Sequence, residues 1–325
     1  MPIKAVVDVG TNSIKLLVME GGPLGGTVAF DASRVVRLGE GTDESGVLAD
    51  GAMERALRVT EEMARRARSL GADEIAAVGT QAMRRARNSG DFVRMVESRC
   101  GVSIRVISGG EEAAMSFGAV VSSSPSDAGE ICLFDVGGGS SEVVRGSRAG
   151  VSFRWSVPVG ALSLRDKFFA ASVPDEPPRC EDVSAAAGYV RSLIRTELEG
   201  RFGGAPGPGC ACVGVGGTIT TLAAVKLGLE GEDRGALDGT ALDAGEVERQ
   251  IALYASLDSE SRAGMIKGLP PERAGIILPG ACVTRELMRF CGFGGLTVSG
   301  RGLRYGVMEA VFGISLGSPG SSGSR

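Results

Sequence analysis

Val6-Val7-Asp8-Val9-Gly10-Thr11-Asn12-Ser13 recurs in altered form as Leu133-Phe134-Asp135-Val136-Gly137-Gly138-Gly139-Ser140-Ser141-Glu142. In each stretch an apolar run of buried-strand type delivers an aspartate into a turn of Gly, Ser or Thr. A second apolar strand follows, Ile14 to Val18 in the first and Val143 to Val144 in the second. Two such hairpins, 127 positions apart, predict two similar half-molecules facing one another across a cleft. A cleft lined by backbone N–H groups and carboxylates suits phosphates and a divalent metal.

Outward from the first hairpin, the pattern predicts a third strand near Ala29 to Leu38. A helix follows from about Met53 to Leu70, with Asp50 as N-cap and Gly71 just past its end. Strands are expected at Glu74 to Thr80 and Val102 to Ser108, and helices at Gln81 to Arg87, Asp91 to Arg99 and Glu111 to Val121. The order β-β-β-α-β-α-β-α is that of an actin-like or RNase H-like half. Ser122 to Asp127 reads as a linker. The pattern then restarts, with strands at Ile131 to Asp135, Glu142 to Arg145, Val151 to Val157, Cys210 to Gly216 and Gly295 to Ser299. Helices are expected at Leu162 to Phe169, Val183 to Glu199, Thr218 to Leu227, Gly245 to Ser256, Pro271 to Phe290 and Gly302 to Phe312. The fold class is therefore α/β, as two actin-like (RNase H-like, ASKHA) domains flanking an interdomain cleft. The first domain spans 1–122 and the second 123–301, and the Gly/Ser-rich 317–325 is expected to be a disordered tail.

Composition narrows the chemistry. The 325 residues suit two domains better than one, and 43% apolar content is ample for two cores. A net charge of −4 gives no nucleic-acid footprint. No run approaches 18 apolar residues, and the chain opens directly on a strand, so no membrane span or leader is expected and the location is read as cytoplasmic. Seven irregularly spaced cysteines fit small buried residues in a reducing compartment, Cys132, Cys210 and Cys212 in particular. There is no histidine. That excludes Ser-His-Asp and Cys-His catalysis and His-ligated zinc. General base chemistry falls to a carboxylate, Lys, Tyr or Cys, and the acidic candidates favour Mg²⁺ or Mn²⁺.

The motifs then take roles by chemistry. Gly137, Gly138 and Gly139 leave successive N–H groups unshielded, and Ser140 and Ser141 add hydroxyls, so this turn suits phosphate oxygens. Asp135 and Glu142 bracket it and are placed to hold Mg²⁺ directly or through water. Thr11, Asn12 and Ser13 put three polar side chains after Gly10, although Asn and Ser favour turns in any case. Lys15 is expected to point outward and receives no role. Gly216-Gly217-Thr218 leads a strand into a helix, where Thr218 is expected to cap and to donate to an anion. In Thr80-Gln81-Ala82-Met83-Arg84 the arginine sits one turn into a helix, placed for phosphate, while Arg85 and Arg87 read as solvated. Ile107-Ser108-Gly109-Gly110-Glu111-Glu112-Ala113 puts two acids at a helix start. They diverge by about 100°, so only one can face a site.

In order and spacing these motifs, with Ser299-Gly300-Arg301-Gly302-Leu303-Arg304-Tyr305-Gly306 near the end, closely resemble the exopolyphosphatase / guanosine pentaphosphate phosphatase (Ppx/GppA) family. The likeness covers about residues 3 to 312. It implies Mg²⁺-dependent removal of a terminal phosphate from inorganic polyphosphate or from the guanosine polyphosphate pppGpp. By this resemblance the catalytic base is Glu112, the motif arginine Arg84, the metal-associated acids Asp135 and Glu142, and the phosphate loops Gly10 to Ser13 and Gly137 to Ser141. It also implies that the last helix, 302–312, packs back on the first domain. Longer members carry further C-terminal helical domains, so this chain looks like the short two-domain form. A homodimer is a mild expectation from the family.

Two other classes share these features. A sugar or acetate kinase of the same fold would make a phosphorylated product from ATP. A non-catalytic sensor would bind pppGpp or polyphosphate without turnover, against which the set Glu112, Asp135 and Glu142 argues. Fold does not separate a polyphosphatase from a phosphohydrolase making ppGpp.

Overall fold

The computed structural model describes residues 1–22, 25–124, 129–169, 176–204, 206–229 and 235–315. The chain divides into two compact units. Unit 1 is Met1–Ala128, Ser147–Ala149 and Arg301–Arg325, and unit 2 is Gly129–Gly146 and Gly150–Gly300.

Unit 1 starts with β1 (Ile3–Val9), β2 (Ser13–Gly22) and β3 (Gly25–Val35), then α1 (Thr42–Ser45), α2 (Asp50–Ser69), β4 (Glu74–Gly79), α3 (Gln81–Arg85), α4 (Ser89–Cys100), β5 (Ile104–Val106) and α5 (Gly109–Ser123). The strand order is β3-β2-β1-β4-β5. β1 is central and reads as a near-continuous apolar run because both faces are covered. Ala5, Val7 and Val9 pack with Met53, Ala56, Leu57 and Ala64 of α2. Val6 joins a second cluster on the opposite face, as the period of two demands.

Unit 2 runs β6 (Ile131–Val136), β7 (Ser141–Ser147), β8 (Gly150–Val157), α6 (Ala161–Phe168), α7 (Cys180–Leu198), β9 (Ala211–Val215), α8 (Gly216–Leu227), β10 (Ala241–Asp243), α9 (Ala244–Ala255), α10 (Ser259–Met265), α11 (Ile277–Cys291) and β11 (Gly295–Val298). Its sheet has the order β10-β11-β9-β6-β7-β8. Without β10, this repeats unit 1. β1 and β6 each pair antiparallel with the next strand, and each pairs parallel with β4 or β9. Phe134, Val136, Val143 and Val157 pack into one core with Val190, Ile219 and Val283. The last helix, α12 (Leu303–Phe312), belongs to unit 1. Leu303, Val307 and Met308 pack there on Val6, Leu17, Val78 and Ile107.

Several expectations are corrected. α2 begins at Asp50 itself, with Ala49 at the N-cap and no side-chain cap. Pro271 to Phe290 is not one helix, because a 3₁₀ turn at Pro271–Arg273 precedes α11. Pro279 sits in the first turn of α11, where its missing N–H costs no hydrogen bond. α1, α10 and β10 are too short to carry a readable period. Helix α5 continues to Ser123, so Ser122 and Ser123 are not linker. Residues 125–128 and the proposed tail 317–325 lie outside the described residues. Among the described residues no helix is long and apolar enough to cross a membrane.

Candidate functional site: two amide-lined hairpin loops and a buried glutamate

Both hairpins close alike. The Gly10 N–H donates to the Ser13 carbonyl at 3.0 Å, and the Gly137 N–H to the Ser140 carbonyl at 3.0 Å. A Cβ at either glycine would lie 2.9 Å from that same carbonyl oxygen, so the turn requires glycine. The intervening carbonyls are held from behind. In unit 1 the Thr11 carbonyl accepts from Gly39, and the Asn12 carbonyl from both Val36 and Arg37, each at 2.9 Å. In unit 2 the Gly137 carbonyl accepts from Ala161 at 2.9 Å, and the Gly138 carbonyl from Leu162 at 2.8 Å and Ser163 at 3.0 Å, all in the first turn of α6. A peptide's N–H points opposite to its carbonyl. Pinning the carbonyls therefore turns the amide of each following residue the other way, Asn12 and Ser13 in unit 1 and Gly138 and Gly139 in unit 2. Among the described residues no acceptor takes the N–H of Thr11, Asn12, Gly138 or Gly139. Successive free amides of this kind form anion-binding nests.

The polar side chains divide between scaffold and site. Thr11 Oγ1 accepts the Ala82 N–H at 3.2 Å, fixing α3 to the loop. Asn12 Nδ2 donates to Ser13 Oγ at 3.1 Å, while Asn12 Oδ1 is buried without a partner. Both serine hydroxyls of the second loop already donate within unit 2. Ser140 Oγ donates to Glu142 Oε1 at 2.8 Å, and Ser141 Oγ to the Val159 carbonyl at 2.7 Å. They shape the loop, whereas the sequence reading made them ligand donors.

The register explains the acids. Asp135 stands opposite Glu142, and Asp8 opposite Lys15, as directly paired residues whose side chains share a face. Lys15 thus does not point away, since its Nζ meets Asp8 Oδ2 at 3.2 Å. The sequence signal for it was there, as hairpin register counted outward from the turn. Asp135 and Glu142 form the only all-carboxylate pair of the two. Glu142 is buried and accepts from Ser140 and from Ser156 Oγ, the latter at 2.7 Å. Among the described residues no group of three or more acids or thiols is placed to hold a metal by itself. A pair of carboxylates fits Mg²⁺, which is held by one or two carboxylates together with water and substrate phosphates.

The Gly216 loop belongs to this end of unit 2. Gly216 has φ +91°, and a Cβ there would lie 2.6 Å from Asp135 Oδ1, so the first turn of α8 rests on Asp135. Thr218 does not cap. Val215 is the N-cap, and the Thr218 side chain is buried against Gly280, where a Cβ would lie 2.8 Å from its hydroxyl oxygen. What the sequence reading missed is Arg273, whose guanidinium lies directly against Gly217. The contact is long-range, and no local pattern announces it.

In unit 1, Ser108 and Glu111 form a capping box at the start of α5. The Ser108 N–H and hydroxyl, with Arg105, hold the exposed Glu111 carboxyl down at about 2. Glu111 is therefore the structural acid. Glu112 turns inward and is buried, with 8% exposure. Arg84 Nη1 donates to Glu112 Oε2 at 2.6 Å and to the Ile107 carbonyl at 3.0 Å, and Nη2 donates to Gln81 Oε1 at 2.9 Å. The candidate base and the candidate phosphate arginine thus orient one another. Cys132 and Cys210 offer no rival nucleophile. A hydrogen bond with Cys291 and burial push the Cys132 thiol up, and burial pushes Cys210 up to about 11.

A duplicated β-β-β-α-β-α unit, with free loop amides at both Asp-containing hairpins, defines a protein of the actin-like fold. Its residues 18–312 match the model of the Ppx/GppA phosphatase family, and the chain belongs to that family. It is 29% identical over 323 residues to exopolyphosphatase 2 of Mycobacterium tuberculosis (strain ATCC 25618 / H37Rv), covering 95% of this chain and 98% of that one. It is 27% identical over 302 residues to the bifunctional 3-dehydroquinate synthase/phosphatase of Fusobacterium nucleatum, covering 89% of this chain but only 44% of that longer protein. Among solved structures, the Aquifex aeolicus Ppx/GppA family member superposes with a TM-score of 0.75 at 28% identity, covering 95% of this chain and 97% of that one.

Proposed function

We propose that the chain is an exopolyphosphatase, a cytoplasmic Mg²⁺-dependent hydrolase that removes the terminal phosphate of inorganic polyphosphate. The observation that carries the reading is the pair of amide nests, Thr11–Asn12 and Gly138–Gly139, each beside a hairpin aspartate. Each nest suits the oxygens of a phosphate group. The backbone N–H groups of Thr11 and Asn12 bind oxygens of the terminal phosphoryl group. Arg84 adds a charge-assisted contact, and its existing bond to Glu112 sets the direction in which both side chains face. In unit 2 the Gly138 and Gly139 amides offer a nest of the same kind for a phosphate group. Asp135 and Glu142 would hold Mg²⁺, which would supply positive charge to phosphate oxygens there. Glu112 accepts the proton of an attacking water and orients it in line with the leaving oxygen. Rate acceleration in such transfers comes from positioning and charge stabilisation.

Glu112→Gln tests the assignment. Gln keeps the shape and can still accept from Arg84, but it cannot take a proton. Free phosphate released from tripolyphosphate is expected to fall by about 10²–10⁴-fold, with tripolyphosphate binding and melting temperature near parental values. Parental turnover in that variant would sink the reading. The same release assay, run on long polyphosphate and pppGpp with Mg²⁺ and with chelator, separates polyphosphatase from pppGpp phosphohydrolase. Binding without any phosphate release would identify a sensor.

A further inference from the structure

Arg37 is the only non-glycine described residue with positive φ, at 50°. A long side chain in the left-handed region is strained, and such conformations persist only where surrounding contacts over-determine them. The surrounding contacts here are those of the first nest. The Arg37 N–H and its neighbour Val36 share the Asn12 carbonyl, Gly39 holds the Thr11 carbonyl, and the Arg37 carbonyl accepts from Glu40 at 3.1 Å. Asn or Gly would occupy this backbone at less cost, yet the position carries a cation. Arg37 is a half-buried residue, and its guanidinium has no hydrogen-bond or ion-pair partner among the described residues. Elsewhere in unit 1 the half-buried cations are engaged, Lys15 with Asp8 and Arg84 with Glu112. Beside Arg37, Asn12 also keeps a buried carbonyl oxygen without a partner.

We infer that Arg37 is a substrate-binding residue that contacts the phosphates beyond the terminal one, and so selects linear phosphoanhydrides over simple phosphate monoesters. The inference rests on the phosphohydrolase reading above. The physical argument is that a strained backbone bonded directly to the nest fixes where the charge leaves the loop. An uncompensated guanidinium in that place attracts a second anionic group of a ligand whose first group occupies the nest.

Full-length parent, Arg37→Gly, Arg37→Asn and Arg37→Lys are compared by melting temperature and by steady-state kinetics. The substrates are tripolyphosphate and para-nitrophenyl phosphate, a monoester with a single phosphate. Gly and Asn accept the left-handed backbone, so both variants are expected to melt at or above the parental temperature. KM for tripolyphosphate is expected to rise by about tenfold or more, with kcat altered less than about threefold. KM for the monoester should be unchanged, and Arg37→Lys should recover most of the tripolyphosphate loss. A merely structural Arg37 would instead give Gly and Asn variants that melt well below the parent, which overturns the assignment. So would a parental tripolyphosphate KM in Arg37→Gly, or equal losses on both substrates. A parent that neither binds nor cleaves tripolyphosphate would fail at the earlier step, and the phosphohydrolase reading would fall together with this one.

Discussion

Position 15 in the first hairpin and position 142 in the second occupy the same place, directly opposite the hairpin aspartate, yet they carry opposite charge. Lys15 neutralises Asp8 within the protein, whereas Asp135 stands opposite a second acid, Glu142. Asp8 is 3% exposed, so removing its partner leaves a buried carboxylate. Lys15→Met is expected to cost about 2 kcal/mol, below the usual cost of breaking a fully buried pair because Lys15 is 27% exposed. The double variant Asp8→Asn with Lys15→Met should regain most of that loss. Urea unfolding midpoints measure both, and an unchanged midpoint in the single variant would refute the pairing. At this scale the sequence was readable where local geometry sits inside a contiguous motif, as with the glycine turn at Gly137 or the divergence of Glu111 and Glu112. It was silent where a contact joins distant segments. Arg84 and Glu112 are 28 positions apart, and Arg273 reaches Gly217 from a different turn altogether.

Helix α5 shows how an element assigns roles to adjacent side chains. Glu111 closes the capping box, and the helical turn of about 100° per residue then puts Glu112 on the buried side. Ser108→Ala is expected to lower stability by about 1 kcal/mol through loss of the cap. Glu111→Gln has a pH signature. The folded carboxyl sits at about 2, below its ordinary 4.5, so its contribution is present above pH 4.5 and fades as pH falls toward 2. The difference in unfolding midpoint between parent and Glu111→Gln should therefore narrow across that range. A constant difference would show that the capping carboxylate is not the cause. Element type was legible here because Ser-x-x-Glu before an apolar run is a start signal with a mechanism. Boundaries were less so. The apolar spacing of Pro271 to Phe290 carries on through a 3₁₀ turn and the irregular Ala274 to Ile276, whose break depends on packing rather than on period.

For the whole molecule, duplication is plain in three dimensions and nearly invisible in one. The order β3-β2-β1-β4-β5 recurs as β8-β7-β6-β9-β11, but only the two hairpins, where glycine is required, keep a common sequence. Elsewhere any apolar residue of suitable size fills the strand. The copies differ in how unit 1 is completed, because its last helix arrives from the far end of the chain. Gly306 of α12 packs on the Met115 backbone of α5 so closely that a Cβ would collide with it. Arg304, itself buried, pairs with Asp31 and donates to the Leu16 carbonyl at 3.2 Å, and Tyr305 donates to Asp31 at 3.1 Å. These contacts give Arg304-Tyr305-Gly306 a structural part in closing unit 1. Burying Leu303, Val307 and Met308 is worth on the order of 5–9 kcal/mol as an upper estimate. That matches the whole net stability of a typical domain, about 5–15 kcal/mol. Removing residues 301–325 is therefore expected to unfold unit 1 while the core of unit 2 survives, since none of its clustered residues lies beyond Val298. Hydrogen exchange read by mass spectrometry separates the two units. Protection should vanish across β1, β2 and β4 and persist across β6, β9 and α11. Gly306→Val should reproduce the loss in milder form, and full protection of β1 in the truncated chain would show that unit 1 stands without its returning helix.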